Sequence, residues 1–477
     1  MRDRLLLLAG ALVAFGASLG SGFHFDDYAI FSDPALTSPG GWLYLWGPGR
    51  TRPLTYFTFW LNYQAGGTNP LGYHALNLAL HLAAVLLAFE CLRRMLPARA
   101  ALLGAALFAI HPIQAESVDY IWGRSIVLAS ALCFGSLLAW TAERPWTAVA
   151  CFAAALAAKE ECAAFPLLLA LLWWTHRPRR SPWPIAAMLL LALAAGLRAI
   201  YAAAVTPGAQ AGAQAGITPA HYALTQGVAI LRYLRLLVIP WGFTIDPDIP
   251  IPPLWLGALA WAAILSLAVL AWRRRALWGL WLLAGLVLLL PSSSVFPAAD
   301  LAADRRMYLP LAALAAAAAI PLSRTRFTAV PVLAVAVLLA SSVFRTQVWR
   351  SDEALWRDAL AHAPRKVRPR IQLARSVTTP EALRLLDEAR QLAPGNPAIA
   401  TETGRTLLAS GDPAAALGEF GRALALDPRD AGNYNNRGVA LAALGQTDAA
   451  RRDFQRALEL SPGLATAAEN LRKMPER

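Results

Sequence analysis

The chain has 477 residues, 57% of them hydrophobic and only 15% charged, and a mean hydropathy of +0.44. That balance excludes a soluble protein with ordinary surfaces and points to a bilayer. The formal net charge of +13 sits largely in short connections between apolar runs (Arg93, Arg94 and Arg99; Arg177, Arg179 and Arg180; Arg273, Arg274 and Arg275; Arg324 and Arg326), which is the signature of cytoplasmic loops and gives no reason to expect a nucleic-acid partner.

The chain opens with Arg2 and Arg4 before the apolar stretch Leu5 to Leu19, a pattern shared with signal peptides but read here as an uncleaved first helix because further spans follow. With the basic clusters inside, alternation places residues 21–72 outside as a first external loop. The chain then crosses through 73–92, 100–110, 124–140, 146–158, 165–174 and 184–201. The run 222–240 carries Arg232 and Arg235 and ends at Pro240; as a crossing it would put residues 273–275 outside, so it reads as an interfacial or re-entrant helix. Crossings at 254–272, 277–290, 308–322 and 327–344 complete about eleven and leave the C-terminus external. Cys91, Cys133, Cys151 and Cys162 lie in or beside apolar runs without metal or redox spacing, and read as small core residues.

Composition changes near Ser351 to an Arg/Asp/Glu-rich pattern with Ala and Leu at helical spacing. Self-similarity recurs every 34 residues: Gly404 and Gly438, Gly411 and Gly445, Ala416 and Ala450, Phe420 and Phe454, Pro428 and Pro462. This is the spacing of tetratricopeptide repeats, clearest over 397–462, with a degenerate repeat before them. The expected organisation is therefore a membrane domain, 1–345, and a repeat domain, 346–477, whose groove would take a protein partner.

Ionisable groups are costly at membrane depth, so their positions carry information. They converge on the external side. The first loop opens with Asp26 and Asp27, adjacent carboxylates of the kind that can supply a general base. It continues to Arg52, and the next helix places His74, Asn77 and His81 on one face, which argues for a water- or ligand-filled cavity. Later external turns add His111 and Glu116, then Arg124, then Lys159, Glu160 and Glu161, and finally Asp304, Arg305, Arg306 and Tyr308. A cavity edged by cations beside a carboxylate pair suits an anionic phosphate donor next to a hydroxyl acceptor.

At these residues the chain resembles the transmembrane and tetratricopeptide-repeat-containing protein O-mannosyltransferases and, more broadly, the GT-C glycosyltransferases. The resemblance rests on Phe25-Asp26-Asp27, Arg52-Pro53-Leu54-Thr55 leading to Leu61-Asn62-Tyr63, Tyr73-His74 with Asn77 and His81, His111-Pro112 with Glu116 and Gly123-Arg124, Lys159-Glu160, Tyr308-Leu309-Pro310, and Val348-Trp349-Arg350 followed by Leu355-Trp356. It implies an all-α, polytopic GT-C-type bundle followed by an α-solenoid, with Asp26 and Asp27 catalytic. Arg52, His74, Asn77, His81, His111, Glu116, Arg124, Lys159, Glu160, Arg305, Arg306 and Tyr308 would bind substrate. Asp304-Arg305-Arg306 departs from the expected Glu-Arg-aromatic pattern, which bears on the lipid-phosphate site.

The implied reaction is inverting transfer of a monosaccharide, mannose by family analogy, from a polyprenyl-phosphate donor to a hydroxyl of an acceptor protein or glycan. No cofactor is expected; a divalent metal could sit beside two carboxylates, but the resemblance favours metal-free chemistry. The Ala/Leu/Arg-rich composition suggests a bacterial inner membrane with the repeats in the periplasm, in contact with membrane lipids; an endoplasmic-reticulum setting with lumenal repeats would have the same topology. Rival readings are a polysaccharide ligase or polymerase acting on lipid-linked glycans, and an inactive membrane-anchored repeat scaffold.

Overall fold

A computed structural model describes residues 1–47, 49–176, 181–205, 211–212, 215–274, 276–293 and 295–474. Arg177, Arg179, Arg180 and Arg275 of the basic clusters, and most of the connection after Val205, lie outside the described residues. The chain divides into two compact units, Met1–Ser351 and Asp352–Arg477. Among the described residues both are helical, joined by turns and 3-10 segments.

In the first unit six helices are long and apolar enough to cross a membrane: Arg2–Gly20, Pro70–Met95, Ile121–Thr141, Trp183–Val205, Leu254–Arg274 and Ala329–Val348. The expected count of eleven is not reproduced by length. Pro145–Ala158 has 14 residues, Phe165–His176 and Leu277–Leu288 have 12 each, and Tyr308–Leu322 has 15. At about 1.5 Å per residue such helices fall short of roughly 30 Å of hydrocarbon.

The helix Ala98–Ile110 ends at a break, after which Pro112–Val118 continues at 46°. Pro112 has no N–H to give, and its ring excludes a continuous helix. The last carbonyls before the break would be orphaned in an apolar interior. Each finds a side chain: Gln114 Nε2 donates to Phe108 O at 3.2 Å, His81 Nε2 donates to Ala109 O at 3.0 Å, and the Ser342 hydroxyl donates to Ile110 O. His111 Nδ1 accepts the Ile113 N–H at 3.1 Å. The break is therefore a built feature.

The amphipathic helix Pro219–Val238 lies along the segment that follows Leu288. Tyr222 donates to Ser292 O, Gln226 to Leu301 O, Tyr233 to Ala303 O, and Arg232 to Asp304 at 2.6 Å. Donors from Tyr222 to Tyr233, roughly 16 Å of helix, all reach one connecting segment, which is the geometry of a helix lying beside that loop.

The second unit is a stack of antiparallel helix pairs from Asp352–His362 to Ala465–Lys473. The pair Val367–Ala374 and Thr379–Leu392 precedes the two clear repeats, where a degenerate repeat was expected. Glycine is required where paired helices touch: a Cβ at Gly404 would come within 2.7 Å of the Phe420 ring, and one at Gly438 within 2.6 Å of Phe454. First helices of successive pairs are tied by polar rungs, Arg375 to Glu402, Thr401 to Asn433 and Asn470 to Asn435, each at 2.9 Å. Gly438→Val is expected to cost about 2 kcal/mol through overpacking against a ring that cannot withdraw, read as a lowered melting temperature of the full chain in detergent.

Candidate active site

The 3-10 turn Phe25–Tyr28 separates the two adjacent carboxylates completely. Asp27 is fully buried, and both its oxygens are spent on backbone: Oδ2 accepts from His24 N at 3.0 Å, closing a capping box, and Oδ1 accepts from Trp122 N at 2.9 Å. The second bond ties the first loop to the segment leading into the Arg124 helix. Burial pushes the Asp27 carboxyl up to about 7, against the pull of those N–H groups. Asp26, one residue earlier, is exposed. The pair thus presents one exposed carboxylate and one structural one, a poor match to a two-carboxylate metal site. Tyr120 lies between this pair and the cations: burial raises its hydroxyl first, and the charges of Asp27, Asp26 and Arg305 all reach it.

Arg124 is fully buried and held on several sides. Its guanidinium donates to Asn77 Oδ1 at 2.7 Å, Asn62 Oδ1 at 2.6 Å, Thr58 Oγ1 at 3.3 Å and Tyr73 O at 2.9 Å, and stacks 4.5 Å from the Phe59 ring centre. Asn77 in turn donates to Tyr120 O at 3.0 Å. Gly123 permits the approach, since a Cβ there would meet Ser117 O at 2.7 Å. Arg124 is a clamp between helices, with four of its five N–H groups given to protein.

The same correction applies along the His74, Asn77 and His81 stripe. The three do share a face, but that face meets protein: His74 Nε2 donates to Gly22 O at 3.1 Å, and His81 Nδ1 accepts from the Tyr308 hydroxyl at 2.7 Å. All three are fully buried, as is Tyr308. His111, expected against substrate, serves the helix break and donates to Leu237 O at 3.5 Å. Glu116 accepts from the Arg305 backbone N–H at 3.1 Å and from its guanidinium, while Arg305 also reaches Asp300 at 3.2 Å. Glu116 and Asp300 together hold the Arg305 guanidinium protonated against the opposing effect of burial.

What remains is a groove of about 520 Å³. Arg52, Glu160, Arg306, Glu161 and Tyr222 supply its polar lining; Leu167, Gly196, Ala199, Ile200 and Phe296 supply apolar wall. Arg306 is buried, donates to Asp300 O at 2.7 Å and Leu301 O at 3.4 Å, and makes no ion pair among the described residues. Arg52 has φ 57°, a left-handed conformation unfavourable for a non-glycine residue and for one before proline. It is held there by a two-pronged bond to Glu160 at 2.9 and 2.5 Å. Burial pushes Glu160 up, but the Arg52 charge and hydrogen bond more than offset this and hold it at about 2. Lys159 lies 3.5 Å from Glu161, and burial depresses its ammonium to about 8 despite that partner. A second cavity, of about 330 Å³ and almost wholly apolar, lies among Leu107, His111, Leu234, Leu282, Leu314 and Leu338.

Tyr222, on the helix Pro219–Val238, and the wall formed by Gly196 and Ala199 are not among the residues that the sequence points to. Two small residues three apart on a span were the available signal for a lateral opening. The sequence singles out Glu161 without assigning it to the site.

Two measurements check this arrangement. Between pH 3.8, the ordinary carboxyl value, and about 7 the folded chain keeps a proton on Asp27 that the unfolded chain releases. Stability from this group is therefore greatest below that window and is lost as pH rises through it. Melting temperatures of wild type and Asp27→Asn across the window should converge towards neutral pH, with the variant lacking this component. Arg124→Lys should cost about 3 kcal/mol, because a single ammonium leaves several buried acceptors unmet; a stability change under about 1 kcal/mol would contradict the clamp.

Comparison with known proteins finds one family model and several similar chains. A tetratricopeptide-repeat family model matches residues 401–465. The chain is 40% identical over 149 residues to protein O-mannosyl-transferase Tmtc1 of Drosophila melanogaster, covering 28% of this chain and 17% of that protein. It is 24% identical over 407 residues to protein O-mannosyl-transferase F38B6.6 of Caenorhabditis elegans, covering 76% and 58%. The matches thus span less than two thirds of these relatives' own length. Among solved structures, ArnT from Cupriavidus metallidurans bound to undecaprenyl phosphate is 15% identical over 90% of this chain and 80% of that one, TM-score 0.44. The Archaeoglobus fulgidus oligosaccharyltransferase tethered to an acceptor peptide is 13% identical over 81% and 58%, TM-score 0.38. The chain is an all-helical membrane protein with a tetratricopeptide-repeat region, similar in sequence to protein O-mannosyl-transferases.

Proposed function

We propose that the chain is a membrane glycosyltransferase that moves a monosaccharide, mannose by analogy with its relatives, from a polyprenyl-phosphate donor to a hydroxyl on an acceptor protein at the external face of the membrane. The observation that carries this reading is the groove: apolar along most of its wall, and lined by a buried arginine that makes no ion pair among the described residues. A polyprenyl chain needs the first property and its phosphate the second. In this reading Arg306 binds the phosphate at the groove, Arg52 and Lys159 stand beside it as the partners of Glu160 and Glu161, and Arg305 is held away from the ligand by Glu116 and Asp300.

The acceptor oxygen attacks the anomeric carbon from the side opposite the phosphate. Its proton passes to Asp26, the carbon–oxygen bond to phosphate breaks, and the leaving polyprenyl phosphate takes the electron pair, stabilised by the cations. Asp27 positions the turn without touching substrate. The repeat unit would present the acceptor or its carrier protein through its groove. A bacterial inner membrane with periplasmic repeats fits the Ala/Leu/Arg-rich composition.

Transfer from a radiolabelled polyprenyl-phosphate sugar by the purified, reconstituted chain tests the assignment. Asp26→Asn should lower turnover by roughly 10²-fold or more with unchanged melting behaviour, and Arg306→Gln should chiefly weaken use of the donor. Full turnover in Asp26→Asn would remove the proposed base and, with it, the mechanism.

A further inference from the structure

The first external loop carries a feature that the groove does not use. In the 3-10 segment Gly41–Trp46, Leu45 is fully buried in a cluster with Ile30, Leu36, Phe59 and Tyr73. The rest of the segment turns outward: Trp42 is 38% exposed, Leu43 62%, Tyr44 73% and Trp46 52%. Four large, mostly aromatic side chains in five positions make a concentrated patch to leave in water. The segment is also rigid. A Cβ at Gly41 would meet Ala35 O at 2.5 Å, so the turn is pressed against the Pro34–Thr37 helix, and Trp60 Nε1 anchors the neighbouring Ser38 O at 2.9 Å.

Its attachment says what surrounds it. Arg198 donates to Gly47 O at 2.9 Å and to Arg50 O, the backbone immediately after the patch. Arg198 belongs to the Trp183–Val205 helix, of which only 11% is buried in the apolar window. Leu190, Leu193, Leu197, Ile200 and Tyr201 are all at least half exposed, so this span turns its side chains to lipid. Arg198 lies seven residues before the helix end, roughly 10 Å along the axis. The carbonyls it holds are therefore not above the membrane in bulk water but level with the outer part of a lipid-facing span. An exposed arginine at that depth is one whose head reaches the interface. Trp and Tyr are the side chains that prefer this layer, apolar on one side and hydrogen-bonding on the other.

We propose that Trp42, Leu43, Tyr44 and Trp46 insert into the headgroup and upper acyl region of the outer leaflet, making the first loop a membrane-interface anchor. The occupant of the patch is lipid, because the patch continues the lipid-exposed face of the Trp183–Val205 helix through the Arg198 bonds. A consequence follows for geometry. The same loop carries Asp26, so an anchor of this kind fixes the height of that carboxylate relative to the leaflet in which a lipid-linked phosphate would lie. That consequence rests on the glycosyltransferase reading; the insertion itself does not.

The test uses the full chain in phosphatidylcholine vesicles, with Cys151→Ala and Tyr44→Cys carrying an environment-sensitive NBD label. A second labelled chain, Glu459→Cys on the exposed repeat surface, serves as the aqueous reference. The position-44 label should emit to the blue of the reference, and phosphatidylcholine carrying a doxyl nitroxide near the start of the acyl chain should quench it at least about two-fold more than the reference. Introducing Leu43→Asp and Trp46→Asp should abolish that difference while the melting temperature of the chain is retained. Water-like emission with no differential quenching at position 44 would overturn the proposal, as would shielding that develops only when an acceptor peptide or glycan is added. Asp26→Asn provides the separation from the catalytic reading: it should lower transfer by roughly 10²-fold or more and leave the depth of the position-44 label unchanged.

Discussion

A charge buried among helices must be answered by protein, and the Arg124 guanidinium sets the terms for the rest of the membrane unit. Its bonds to Asn77, Asn62, Thr58 and the Tyr73 carbonyl join the helices Pro53–Gly66 and Pro70–Met95 to the start of its own helix. Asn77 and the Asp27–Trp122 bond carry the constraint to the turn that holds Asp26. Removing such a group leaves several buried acceptors unmet, which is why conformational definition here costs polar side chains that sequence alone assigns to a ligand.

The broken helix at Pro112 repeats this logic with backbone groups. Three carbonyls freed by the break are each taken by a side chain from a different part of the chain, and His81 and Ser342 are fixed by that duty. Once the partners of Arg124, His81, His111, Glu116 and Arg305 are assigned, few ionisable groups remain available to a ligand. Asp26 is one, and Arg306 in the groove is another. The candidate site is what is left after the structural obligations of its neighbours are met.

This explains what could be read in the sequence and what could not. The repeats were legible because a 34-residue period and the Gly404 and Gly438 positions follow directly from how paired helices touch. The helical class and the mainly apolar first unit were legible from composition. The crossing count was not, because short helices such as Leu277–Leu288 have the composition of a span without its length. Periodicity correctly placed His74, Asn77 and His81 on one face but could not say that the face meets the Gly22, Tyr120 and Ala109 carbonyls rather than a cavity. Asp26 and Asp27 are indistinguishable as letters; only the 3-10 turn makes one exposed and the other a cap. Arg306 and Tyr222 are brought to one groove by segments more than eighty positions apart, a proximity that no local pattern encodes.

The location of the donor lipid is the claim on which the account turns, and the two cavities make it measurable. A polyprenyl phosphate bearing a diazirine on its first isoprene units, irradiated on the reconstituted chain and mapped by peptide mass spectrometry, should label residues at Leu167, Gly196–Ile200 and Phe296, beside Arg306. Labelling instead at Leu107, Leu234 and Leu314, in the second and almost wholly apolar cavity, would place the lipid away from the cations and contradict the account.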